Sequence, residues 1–70
     1  MNTKQKILQL LNTLSQRYPN YPISSFYTLA AAEMHYSSTD LSDETLLEGL
    51  TKIRRMDTDL AKSLLMTSCI

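Results

Sequence analysis

Three observations place this chain in the all-α class, as a small bundle of three to four helices. Apolar residues recur at steps of three and four through each long segment, the spacing of one-sided helices. Start and stop signals separate those segments at Asn2, Pro19, Pro22, Ser42 and Asp57. Strand signals are absent, and a single glycine leaves little material for tight hairpin turns. The expected helices cover residues 3–18, 22–36, 43–56 and 58–68, inside one domain spanning 1–70.

The first helix has the clearest pattern. In "NTKQKILQLLNTLSQRY", Ile7, Leu8, Leu10, Leu11, Leu14 and Tyr18 gather on one face. Asn2 caps the start, and Gln5 reaches back to complete a capping box. Pro19 drives Tyr18 out of helical geometry and ends the helix. The next residues, "RYPNYPISSFY", read as a rigid corner. Pro19-Asn20 suits the centre of a tight turn, and Pro22 starts the second helix with Ser24 as a competing cap. Its tyrosines should cover the ends of the core with their hydroxyls in water, while the first two helices pack as a hairpin.

Ile23, Phe26, Tyr27, Ala30 and Met34 line one face of the second helix. Leu29, Ala32 and Tyr36 widen that face, so this helix should be the most buried. "SSTDLSDE" then breaks the pattern with residues that bond their own backbone. Ser42 caps the third helix, Asp43 and Glu44 occupy its first turn, and Leu41 can staple onto Leu46. Leu46, Leu47, Leu50 and Ile53 form its stripe. Gly49 inside that helix costs about 1 kcal/mol relative to Ala, a cost that either permits a close crossing with the "LAAA" segment or is simply tolerated. "RRMDTDL" offers a further break, with Asp57 or Thr58 capping a last helix that carries Leu60, Ala61, Leu64 and Leu65. The competing reading is one helix over 43–67 with Asp57 inside a coiled-coil seam.

Composition removes most chemistries. Cys69 is the only cysteine and His35 the only histidine, so an internal disulfide is impossible and a four-ligand zinc site nearly so. Phosphate-cradling loops need several glycines. Ser37, Ser38 and Asp40 after His35 imitate a triad, yet they lie within one helix end and have no oxyanion loop. The acid pairs Asp43/Glu44 and Asp57/Asp59 fit helix starts, where acids belong for dipole reasons. The expectation is a non-enzyme with no catalytic, cofactor-binding or metal-ligating residues. No apolar run approaches a membrane span, so no membrane partner is expected and the chain reads as cytoplasmic.

Seven basic and seven acidic residues cancel, leaving no global field, but their order is uneven. No acid precedes Glu33, an acidic middle follows, and Lys52, Arg54 and Arg55 come after it. By exclusion the function is protein binding, by a regulatory or inhibitory module that docks on a larger protein. Asp40, Asp43, Glu44 and Glu48 would face a basic partner, joined by Tyr18 and Tyr21 at the corner. One alternative is a helix-turn-helix-like DNA-binding regulator using Lys52, Arg54, Arg55, Lys6 and Arg17. Another is a homodimeric accessory subunit paired through its Leu- and Met-rich last helix. "RYP" at 17–19 and "SDETLL" at 42–47 resemble segments of small phage and prophage proteins. That resemblance implies a mobile element and brings no activity with it.

Overall fold

The caps written in the sequence set the helix boundaries. The computed structural model describes residues 2–36 and 40–68. They form α1 (Thr3–Arg17), α2 (Ile23–Glu33), α3 (Asp43–Arg55) and α4 (Thr58–Ser68), an all-helical bundle. Asn2 Oδ1 accepts the Gln5 N–H at 2.9 Å while Gln5 Oε1 accepts the Asn2 N–H at 3.3 Å, closing the capping box. Ser42 Oγ accepts the Thr45 N–H at 3.2 Å, with Asp43 and Glu44 in the first turn of α3. Asp57 Oδ2 accepts the Asp59 N–H at 3.2 Å and so caps α4. Met56, at φ −67° and ψ 150°, is extended, which rules out the continuous helix over 43–67.

Two boundaries differ from expectation. Ser24 is not a cap, because Pro22 is already extended and its carbonyl accepts the Ser25 N–H at 3.0 Å, which places Ser24 in the first turn. Helix α2 stops at Glu33 rather than Tyr36. The His35 N–H bonds back to the Ala32 carbonyl at 3.1 Å and the Tyr36 N–H to the Ala31 carbonyl at 2.9 Å. These two bonds are a Schellman ending, and His35 takes its left-handed position at φ 60°. Glycine usually fills that position; histidine is among the side chains that tolerate it best.

Helix α3 is the hub, packing on α1 along one side and on α2 along another, while α4 packs on α2. The Arg17 guanidinium donates to the Arg54 carbonyl at 3.0 Å, joining the C-terminal ends of α1 and α3. Lys4 and Ile7 share a groove with Asp43 and Leu46 at their N-terminal ends. The two helices therefore run parallel. The hairpin of α1 on α2 is looser than expected, since each packs mainly on α3.

Gly49 explains how α2 and α3 approach. An added Cβ there would stand 2.6 Å from the Ala30 carbonyl oxygen, 2.7 Å from the Ala30 Cβ and 2.9 Å from its Cα. Only a side-chain-free residue lets this crossing form. It also selects which face of α2 turns inward. Ser25, Phe26, Leu29, Ala30 and Ala31 are buried, and α2 is indeed richest in buried residues. Ile23, Tyr27, Ala32 and Tyr36, expected on the inner face, are exposed instead. Tyr27 and Ile23 lie one and two turns before Ala30, towards the start of α2, and the apolar arc of this helix is wider than the surface its neighbours cover.

The core is completed by Ile7, Leu11 and Leu14 of α1, Leu46, Leu50 and Ile53 of α3, and Ala61 and Leu65 of α4. Leu41, Leu47 and Leu64 pack against it half-buried, while Leu60 is exposed. Tyr18 corrects another expectation. It is 1% exposed, and its hydroxyl is buried with no hydrogen-bond partner among the described residues. The corner turns as expected, with the Tyr21 N–H reaching the Tyr18 carbonyl at 3.3 Å around Pro19-Asn20. That turn folds the Tyr18 ring inward, and its hydroxyl goes with it.

Three substitutions test this packing. Gly49→Ala should lower stability by about 2 kcal/mol or more, because overpacking against backbone outweighs the helix-propensity gain. In a domain this small that is a fall in Tm of roughly 10 °C, readable by circular dichroism. His35→Gly should raise stability by about 0.5–1 kcal/mol by relieving the left-handed backbone, and an unchanged or lower Tm would contradict the strain. Tyr18→Phe should be neutral or stabilising by up to about 1 kcal/mol, whereas a clear loss would reveal a hydrogen bond to the hydroxyl.

Candidate functional site

Helix α1 divides the surface into two flanks. At 100° per residue, Ile7, Leu11 and Leu14 point into the core. Lys4 and Leu8 then fall on one flank, and Lys6, Leu10, Thr13 and Arg17 on the other. A groove runs along each.

On the first flank, Lys4, Ile7, Leu8, Tyr27, Asp43 and Leu46 line an open groove of about 330 Å³ where α1, α2 and α3 meet. Its walls carry side chains that the core has no room for. Leu8 is 65% exposed and Tyr27 36%, and Ile23, one helical turn before Tyr27, is 50% exposed. Lys4 and Asp43 place one charge of each sign on the rim.

On the second flank, Lys6, Gln9, Leu10, Thr13, Leu47 and Arg54 line a groove of about 310 Å³ between α1 and α3. Leu10 and Leu47 are half-buried against the core and make its floor. Every polar lining side chain is a cation or a neutral donor, with no carboxylate among them. Arg17 closes one end through its bond to the Arg54 carbonyl.

The expected docking residues separate accordingly. Asp40, Asp43, Glu44 and Glu48 are all exposed, and Asp43 borders the apolar groove. Tyr21 is half-buried against the core. Tyr18 belongs to the core and presents no surface to a partner, for the packing reason given above. Of the basic residues, Lys6 and Arg54 line one groove and Arg17 adjoins it. Lys52 and Arg55 are exposed and do not line it. Sequence reading missed Leu8, Ile23 and Tyr27 as surface residues, because periodicity assigned them to the core. The available signal was the excess width of the apolar arcs on α1 and α2.

Other expectations meet the geometry as follows. A helix-turn-helix pair packs its two helices on each other, whereas α4 packs on α2 rather than on α3. On α4, Leu60 and Met66 are both exposed but stand about 120° apart around the helix, so they form no single pairing seam. His35 is exposed at the end of α2, while Ser37, Ser38 and Cys69 lie outside the described residues. Among the described residues no group of His, Cys, Asp and Glu converges as a metal site, and no helix is long and apolar enough to cross a membrane. Compared with known proteins, the chain matches no family model, no curated protein and no solved structure, so its functional reading rests on its own two grooves.

Proposed function

We propose that this chain is a small non-enzymatic binding module that docks on a larger protein through the apolar groove of α1, α2 and α3. The observation that carries this reading is the gathering of exposed Leu8 and Tyr27 at one groove, extended along α2 by Ile23. A bundle of this size has few apolar side chains to spare from its core. Tyr36, Leu60 and Met66 are exposed elsewhere, but Leu8, Tyr27 and Ile23 cluster around one depression, the pattern of an interaction surface. An aromatic ring and a leucine around a half-filled groove are suited to anchoring a partner's apolar side chain. Asp43 on the rim, with Glu44 beside it in the sequence and Glu48 one turn on, would favour a partner carrying basic residues around that anchor.

The test is affinity capture with the full chain from the cells that encode it, comparing the native sequence with Leu8→Glu and Tyr27→Ala. Both side chains are exposed, so melting curves should stay close to the native one. Each change should weaken the captured complex by about thirtyfold if its residue is an anchor. Joint reversal of Glu44 and Glu48 to Lys should mainly slow association and reduce its salt sensitivity. Retention of the same partner at native strength by both groove variants would sink the proposal.

A further inference from the structure

We infer a second binding surface on the opposite flank of α1: the groove of Lys6, Gln9, Thr13 and Arg54 takes the sugar-phosphate backbone of duplex DNA, without reading its sequence. It is independent of the protein-docking reading, because it uses the other side of the helix.

The inference starts from charge placement. The molecule is neutral overall, yet α1 carries no acid at all, and among the described residues the groove it shares with α3 is lined without a carboxylate. Lys6, Thr13 and Arg17 are seven and eleven residues along one stripe, about 16 Å from first to last. Arg54 faces that stripe from α3, although it lies 37 positions beyond Arg17 in the chain. Folding therefore assembles cations from two remote segments into one line. The residue types match those that hold phosphates: Lys and Arg supply charge, and Gln9 and Thr13 supply neutral donors.

The kind of nucleic acid follows from what else lines the groove. Single strands are held by stacking bases on aromatic rings, and none of the lining residues is aromatic. The exposed ring of Tyr27 is on the other flank. The polar lining side chains are cations and neutral donors of the kind that hold phosphate and sugar, so the contact assigned here is to the backbone. Three cations at the surface, Lys6, Arg17 and Arg54, would displace about three counterions from a duplex. Such binding is weak, about 10⁻⁴ M at physiological salt, and log K should fall against log salt with a slope of about −2.7. A fivefold dilution of salt should then strengthen it roughly eightyfold.

Fluorescence anisotropy of a labelled mixed-sequence duplex of about 20 base pairs, titrated with the full chain at several salt concentrations, measures this slope. Lys6→Ala and Arg54→Ala should each reduce it by about 0.9. The double variant Lys6→Glu/Arg54→Glu should abolish binding while keeping the native circular dichroism melt, since both side chains are exposed. Lys62→Ala on α4 should bind as the native chain does. Absence of salt-dependent binding would overturn the inference. So would native binding by the double variant, or tighter binding of a single strand of equal length.

Discussion

The close approach of Gly49 to Ala30 governs the arrangement of the whole bundle. Two helices that touch backbone to backbone have little freedom to rotate about their own axes, because turning either one brings a side chain into a space that holds none. With α2 and α3 locked in this way, Phe26 and Leu29 go inward together with Leu46, Leu50 and Ile53. The remaining side of α3 is left for α1, and the remaining side of α2 for α4. A small domain has only a few kcal/mol to spare, so a device that removes alternative packings contributes more to a single fold than another leucine would.

The surfaces follow from what this packing leaves over. Tyr27 and Ile23 lie one and two turns before Ala30, towards the start of α2, and stay exposed although their residue types suit a core. Leu8 is displaced in a similar way on α1, where Ile7, Leu11 and Leu14 already fill the inward arc. The apolar groove is thus the remainder after the core has been packed, and its position is set by the crossing of helices rather than by a local motif. The basic groove has a parallel origin. Because α1 and α3 run in the same direction, their C-terminal ends coincide, and the cations that suit helix C-termini meet there. Arg17 and Arg54 are dipole partners first, and together with Lys6 farther along α1 they give this flank its charge.

Three features of the fold run against local preference. Gly49 lowers the helix propensity of α3, His35 holds a backbone conformation that disfavours side chains, and the Tyr18 hydroxyl is buried with no partner among the described residues. Each lies where a tertiary demand is strongest: the helix crossing, the end of the shortened α2, and the corner that turns α1 towards α2. Local and global preferences agree in the matched caps at Asn2, Ser42 and Asp57 and in the acids and bases distributed along α3.

The helical class, the four segments and their starts were legible in the residues, because capping and proline geometry act over three or four positions and need no distant partner. Gly49 in the sequence fitted either a close helix crossing or a tolerated glycine, and only the contact with Ala30 decides for the crossing. The choice of buried face on α2, the inward turn of Tyr18 and the meeting of Lys6 with Arg54 were decided by tertiary structure alone. Periodicity reports how wide an apolar arc is but not which part of it a neighbour will cover. Only contact between residues far apart in the chain supplies that choice, and with it both grooves.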